Sequence, residues 1–314
     1  MTKTCCPLCN GGTFSQERLG LLNCARCGLT VSPAIWQPHA NEMLEAEWFG
    51  EFYQPETSCW VRWFETWSNR RTMGRIARAK LCGRRLLEVG VGSGALLQAA
   101  REQGFEVRGC DLSWSICERV EKLGIRVHCG PLQELQGEGR FDVVVMNHVL
   151  EHVHDPVALL GDVRRLLAPD GLVHICVPNV ACWEARLWGW TSYEPYHLTY
   201  FTPATLRHAV ASSSLLLEQL FTHESFSGWF LAVLRSGLEV NRNDRIQPNV
   251  WTERASTGCA RSALVEHAYR LTMVCAGGFL WPLRVWQASI GRGDEIVCLA
   301  RKSAPDRGSG VYAS

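Results

Sequence analysis

The most sharply patterned stretch of this 314-residue chain begins at Arg85. Leu86-Leu87-Glu88-Val89 reads as a buried strand; Gly90, Gly92 and Gly94 break the run, and Ala95-Leu96-Leu97-Gln98-Ala99-Ala100 resumes it with good helix formers. A strand that turns through glycines into a helix lets backbone approach a ligand closely and offers unpaired N–H groups at the helix start. A second strand is predicted from Glu106 to Cys110 and ends at Asp111, 23 residues after Glu88. A carboxylate at that tip is placed to accept both hydroxyls of a ribose. Upstream, Trp36 and Trp48 precede an aromatic stripe, Trp60, Trp63, Phe64 and Trp67, whose i, i+3, i+4, i+7 spacing puts it on one helical face, as packing or as an apolar lid. Downstream, helical patterns span Phe226 to Val240 and Ala263 to Trp286, the second apolar over most of its surface and bounded by Arg270 and Arg284.

Composition narrows the class. Hydrophobic residues make up 46% and charged residues 20%, which is globular and far from the disordered regime. Lys+Arg 32 against Asp+Glu 31 leaves +1, so no chain-wide field draws nucleic acid or anionic lipid. The 15 cysteines follow an N-terminus without an apolar signal core, so a reducing, cytoplasmic setting is expected. The 13 uncharged residues between Arg270 and Arg284 fall short of the roughly 20 that a spanning helix needs. The segment 263–290 is read as a helical hairpin over the active site, a dimer contact or a peripheral membrane contact, with arginines reaching toward headgroups. A monomer or a homodimer fits either reading.

The first chemistry along the chain is metal binding. Cys6-Pro-Leu-Cys9 and Cys24-Ala-Arg-Cys27 are two CxxC pairs separated by 14 residues, the four-thiolate spacing of a zinc ribbon. Pro7 and Gly28 suit the tight knuckle turns, and a segment this short needs such a staple to fold. Cys5 is one residue too far from Cys9 for the same geometry. Four thiolates close the shell, so Zn2+ here is structural.

The glycine loop alone leaves two cofactors open, because Gly90, Gly92 and Ala95 also satisfy the dinucleotide pattern G-x-G-x-x-G/A. The whole run Glu88-Val89-Gly90-Val91-Gly92-Ser93-Gly94, with Asp111 beyond it, resembles the first motif of class I S-adenosylmethionine (SAM) methyltransferases. Phe141-Asp142-Val143-Val144-Val145-Met146-Asn147 resembles their fourth strand, Leu150-Glu151-His152-Val153-His154-Asp155-Pro156 follows as in relatives of the ubiquinone-pathway O-methyltransferases, and Leu166 to Gly171 resembles the turn before their fifth strand, here Leu172 to Pro178. The resemblance implies a doubly wound, Rossmann-like α/β fold with a seven-stranded sheet in the order 3-2-1-4-5-7-6. It places the sixth strand at Leu215 to Phe221 and the last at Glu295 to Ala300, with about 70 residues inserted between them. The expected layout is a ribbon over 1–35, a Trp-rich helical segment over 36–80, the methyltransferase domain over 81–304 with its insertion at about 223–290, and a tail over 305–314.

Carried over by position, the resemblance implies that Gly90, Gly92 and Gly94 lie under the methionine part of SAM and that Glu88 orients its amino group. Asp111 holds the ribose, Leu112 and Leu132 flank the adenine, and Asn147 and His148 lie near the transferred methyl. Pro131 stands where the family often has an acidic residue. His148-Val149-Leu150-Glu151-His152 also matches the inverted zinc-peptidase pattern H-x-x-E-H, but Asp155-Pro156 limits the long helix that site requires. His152 is read as a hydrogen-bonded orienting group. The segment from Pro178 to Pro203 is expected to roof the site, and Tyr193-Glu194-Pro195-Tyr196-His197 within it resembles the stretch where related enzymes, including sugar C-methyltransferases with a zinc module, set a Tyr and a His beside the acceptor. Tyr193 and His197 are thus the catalytic candidates, His197 as a general base or a structural pin.

The implied activity is methyl transfer to a small-molecule acceptor, an oxygen of a sugar, lipid-linked or aromatic hydroxyl first, with carbon or nitrogen open. The neighbouring alternative is a ribosomal RNA methyltransferase using Arg70, Arg71, Arg75, Arg78, Lys80, Arg84 and Arg85 as a basic face. An NAD oxidoreductase and a non-catalytic zinc scaffold are the rivals from other classes.

Overall fold

A computed structural model describes residues 4–37, 59–137, 139–194, 196–224 and 278–302, together with positions 229, 232, 233, 236 and 275. The short N-terminal strands are β1 (Phe14–Gln16), β2 (Leu22–Cys24) and β3 (Thr30–Val31), and α1 (Cys59–Arg78) leads into the main domain. There β4 (Arg85–Val89), α2 (Ala95–Glu102), β5 (Glu106–Asp111), α3 (Trp114–Glu121), β6 (Val127–Cys129) and β7 (Phe141–Asn147) alternate. Then come α4 (Pro156–Leu166), β8 (Leu167–Pro178), β9 (Thr199–Tyr200), α5 (Pro203–Ser212), β10 (Leu215–His223), α6 over 278–289 and β11 (Glu295–Lys302).

Seven strands form one sheet in the order β10-β11-β8-β7-β4-β5-β6. Numbered within the domain this is 6-7-5-4-1-2-3, the expected arrangement read from the other edge. The strands from β4 to β8 are parallel, and β11 runs antiparallel to both β8 and β10. Parallel strands covered on both faces read as continuous apolar runs, and Val143, Val144, Val145 and Met146 are each fully buried. Helix starts follow local chemistry: Asp155 accepts a hydrogen bond from Ala158 N at 2.8 Å with Pro156 next in line, and Thr202 and Thr205 form a capping box before Pro203. β8 begins at Leu167 rather than Leu172, because Leu167 already pairs with Phe141 across a register irregularity.

The ribbon carries a strand that the sequence did not announce. β1, β2 and β3 continue into β9, with Thr30 opposite Tyr200 and Val31 opposite Thr199, so the roof of the main domain completes the ribbon sheet. Cys6, Cys24, Leu29, Val31 and Ile35 belong to the same buried cluster as Leu87, Val144 and Ile175.

The predicted helices over Phe226 to Val240 and Ala263 to Trp286 lie largely outside the described residues, as do the tail and residues 38–58. Within α6 the expected outward reach of Arg284 is corrected. Its side chain is buried, donates to Glu224 through Nε at 2.8 Å and pairs with Glu184, because two acids on neighbouring elements neutralise it. Among the described residues no helix is long and apolar enough to cross a membrane.

Candidate active site

The carboxyl ends of the parallel strands converge where a doubly wound sheet binds its ligands. Gly90, Gly92 and Gly94 all have positive φ (74°, 49° and 77°), and a Cβ at Gly90 would stand 2.6 Å from Val149 Cγ2, so only glycine fits this turn. Asp111 is locked beside the loop: Oδ2 accepts from Val91 N at 3.0 Å and Oδ1 from Ser113 N at 2.9 Å. Burial nevertheless raises its carboxyl pKa against those backbone donors. Glu88 is buried, and burial first, then the charges of Asp111 and Glu65, push its carboxyl well above the usual range. Glu65 comes from α1, where Ser93 Oγ on the glycine loop donates to it. Three acids thus stand around the glycine loop, an arrangement that suits a ligand with both a cationic and a ribose end.

Beyond the loop the polar groups form a chain. His148, at the end of β7, has a positive φ of 54°. Its Nδ1 lies 3.2 Å from Glu151 Oε1 and its Nε2 3.2 Å from Glu295 Oε1. Glu295 Oε2 is 3.1 Å from His223 Nε2 and accepts from Cys176 Sγ at 3.5 Å. Burial opposes charge on His148, but hydrogen bonding with Cys176, Glu151 and Glu295 outweighs it and raises the ring well above the ordinary histidine range. Burial works against Glu295 too, yet the hydrogen bond to His148 leads the opposing effects that bring it down to about 2.

These opposed shifts fix a pH window. The His148 contribution to stability is complete below about 6.5 and is lost as pH rises through its raised value; the Glu295 contribution is complete above about 4.3 and is lost as pH falls toward its depressed value. In urea titrations the stability advantage of wild type over His148→Gln is therefore expected to be largest near pH 5.5 and to narrow on the alkaline side. A constant advantage from pH 5 to 9 would show that the ring is not held charged.

Native proteins leave few buried polar atoms unpaired. Here Glu88 Oε2, Asn147 Oδ1, Glu151 Oε2, both ring nitrogens of His174, His223 Nδ1 and Arg71 Nη1 are buried without hydrogen-bond partners, and their residues sit along or beside this one edge of the sheet. Glu88 and Asn147 are where the sequence placed the amino-acid end of SAM, and their orphaned oxygens fit that group. Leu112 and Trp114 stand 70% and 75% exposed beside Asp111, an apolar rim for a flat base. Leu132 does not reach that rim: it is buried with Leu135 in the core, because the chain turns inward after Pro131.

The structure sets both catalytic candidates against backbone partners. Tyr193 donates its hydroxyl to Leu19 O at 3.0 Å and ties the roof to the ribbon. His197 is buried, donates from Nδ1 to Ser192 O at 2.8 Å, and is pushed down to about 3 by burial and the neighbouring His152. The ring gathers with Glu151 and His152. His152 Nδ1 lies 3.3 Å from Tyr196 O, and Leu150 to His152 form a single 3-10 turn, which leaves no helix for the zinc-peptidase pattern. The basic face is split as well, since Arg71 and Arg75 turn toward the sheet while Arg70, Arg78 and Lys80 are exposed.

At the N-terminus the sulfurs of Cys6, Cys9, Cys24 and Cys27 lie within 4.8 Å of one another, with Cys6–Cys27 and Cys9–Cys24 at 3.5 Å. A tetrahedron of Zn–S bonds near 2.3 Å has edges of about 3.8 Å. Cys5 is outside this set.

A profile of the family described as "Methyltransferase domain" matches residues 64–219, from α1 into β10. The chain is 31% identical over 117 residues to a ubiquinone biosynthesis O-methyltransferase of Rhodopseudomonas palustris (strain BisB5), covering 35% of this chain and 46% of that protein. It is 34% identical over 117 residues to the protein of the same description from Bradyrhizobium sp. (strain ORS 278), with the same shares. The chain thus spans about half the length of the curated relatives it matches. The solved structure of a candidate sarcosine dimethylglycine methyltransferase from Galdieria sulphuraria superimposes with a TM-score of 0.52 at 15% identity, over 84% of this chain and 98% of that one, a likeness of fold. The family match over residues 64–219, the relatives and the seven-stranded fold together support a class I SAM-dependent methyltransferase domain. This support, on top of the seven-stranded topology, favours the methyltransferase reading over the dehydrogenase and bare-scaffold readings.

Proposed function

We propose that the protein transfers a methyl group from SAM to a hydroxyl oxygen of a small molecule. The observation that carries the reading is the concentration of unpaired buried polar atoms along the carboxyl edge of the sheet, which extends past the cofactor positions to His223 and Arg71. When bound, SAM supplies a methyl activated by its cationic sulfur. Glu88 and Asn147 hold the amino-acid end over the glycine loop, Asp111 the ribose, and Leu112 with Trp114 the adenine. His148, fixed between Glu151 and Glu295, keeps the end of β7 in one geometry, and alignment of this kind supplies much of the acceleration.

His223 is the proton acceptor in this reading. Burial first, then the charges of Arg71 and Arg75, lower its pKa against the pull of Glu295, which favours the neutral ring. A neutral ring that donates through Nε2 to Glu295 carries its lone pair on Nδ1, the buried atom without a partner. Glu295 thus orients a base, the arrangement of a carboxylate-held histidine. With radiolabelled SAM and a panel of catechols and dihydroxybenzoates, His223→Asn is expected to lower turnover by about 100-fold while leaving the affinity for S-adenosylhomocysteine unchanged. Full turnover in the variant would remove His223 from the chemistry.

The hydroxyl reading rests on relatives described as O-methyltransferases. Structural zinc on Cys6, Cys9, Cys24 and Cys27 is supported by the gathered sulfurs.

A further inference from the structure

We propose that the acceptor carries an anionic group, a carboxylate or a phosphate, seated against Arg71 and Arg75. The inference rests on the reading of this strip as the acceptor site.

α1 supplies the geometry. Glu65 meets the glycine loop at Ser93, and at 1.5 Å per residue Arg71 lies about 9 Å and Arg75 about 15 Å further along the axis, past the cofactor loop. There the two guanidiniums face the part of the sheet built from β8, β10 and β11. Arg75 stacks over the Phe221 ring at 5.3 Å, and Arg71 over Trp67 at 4.5 Å. A guanidinium whose flat face is covered by an aromatic ring still offers its N–H edge, the edge that grips carboxylate or phosphate in a bidentate fashion.

That edge is unsatisfied on Arg71, where Nη1 is buried and has no acceptor. A buried donor without a partner is costly, and a charged one more so. The acid closest in field to Arg71 is Glu295, but its two oxygens already serve His148, His223 and Cys176. Each arginine is also desolvated, and the charge of Arg71 bears on Arg75. Two neighbouring desolvated cations, one with a free N–H edge, beside a carboxylate committed elsewhere, form a site complementary to an anion. A neutral acceptor would leave both the donor and the like-charge contact uncompensated.

The site also lies beside the proposed base. The charges of Arg71 and Arg75 both act on His223. An acceptor anchored by its anionic group on α1 would present a second functional group toward His223 Nδ1, so the pair sets orientation as well as affinity.

The test is calorimetry on the full, zinc-loaded chain, with and without saturating S-adenosylhomocysteine. 3,4-Dihydroxybenzoate against catechol reads a carboxylate, and phenyl phosphate against phenol reads a phosphate. In at least one pair the anionic member is expected to bind about tenfold tighter or better. Arg71→Met and Arg75→Met are each expected to erase that preference, Arg71→Lys to restore part of it, and the exposed Arg78→Met to leave it intact, all with S-adenosylhomocysteine affinity within about twofold of wild type. Equal binding within both pairs, or no binding of any member, overturns the proposal. So does a loss of S-adenosylhomocysteine affinity in Arg71→Met, which would assign the guanidinium to the cofactor's own carboxylate. Failure of wild type to bind S-adenosylhomocysteine would instead defeat the methyltransferase reading beneath it.

Discussion

Asp111→Ala is expected to weaken binding of S-adenosylhomocysteine by about 100-fold or more, because in the proposed site this carboxylate would accept two charge-assisted hydrogen bonds from ribose hydroxyls. The effect has a second source in the protein itself. The same carboxylate accepts from Val91 N and Ser113 N, so it pins the glycine loop to the start of α3. Its loss leaves those N–H groups unpaired and frees the loop that approaches the ligand. Asp111→Asn separates the two contributions: the amide oxygen keeps one backbone acceptor but supplies neither a second acceptor nor a charge, so affinity is expected to fall by about tenfold with little loss of stability. Calorimetric affinities for the three proteins, with their thermal midpoints, check this. An affinity unchanged in Asp111→Ala would place the ribose elsewhere.

The second large effect is expected at the ribbon. Cys24→Ser removes one of four sulfurs that lie together, and structural zinc contributes about 10 kcal/mol or more to the modules that need it. The damage would not stop at the first 35 residues. Cys6, Cys24, Leu29, Val31 and Ile35 share a buried cluster with the main domain, β3 pairs with β9, Ser32 N donates to Leu198 O at 2.9 Å, and His154 Nδ1 donates to Ile35 O at 2.8 Å. A fall in thermal midpoint on the order of 10 °C or more is expected, together with loss of about one zinc per chain by elemental analysis. Cys5→Ser, outside the sulfur cluster, is expected to keep both. Equal zinc content in wild type and Cys24→Ser would mean that the thiols are packing groups only.

What the sequence disclosed and what it hid follow from how far apart the partners lie in the chain. The strand, glycine turn and helix from Arg85 to Ala100 were legible because local geometry dictates them: three positive-φ positions in five residues admit little but glycine. Asp111 was legible because its place follows from one strand–helix–strand unit, and the four ribbon cysteines from their spacing. The far wall of the site was not. His223 closes β10 and Glu295 opens β11, some 70 residues apart, yet they stand opposite each other in the register. Only the antiparallel pairing of the last two strands makes them a dyad. In the sequence Arg71 and Arg75 stand out only as part of a basic face and Glu65 does not stand out at all, because which side of α1 meets the sheet depends on Met73 and Ile76 packing beneath it.

Tyr193 and His197 are a different case. Their residue types suit catalysis, but burial and backbone partners decide reactivity, and neither is written in a local motif. The two-residue β9 is a similar case, since so short a strand exists only because the ribbon docks on it. Arg284 read as a solvent-seeking flank of an apolar helix until Glu184 and Glu224 were brought to it from two other elements.

The most direct test of the central claim is calorimetric titration of the zinc-loaded wild-type chain with S-adenosylhomocysteine and NAD in parallel. Three acids around the glycine loop, with Glu88 Oε2 and Asn147 Oδ1 left unpaired, predict micromolar or tighter binding of S-adenosylhomocysteine and none of NAD. Binding of NAD alone, or of neither, would contradict the assignment of this loop to a methyl donor.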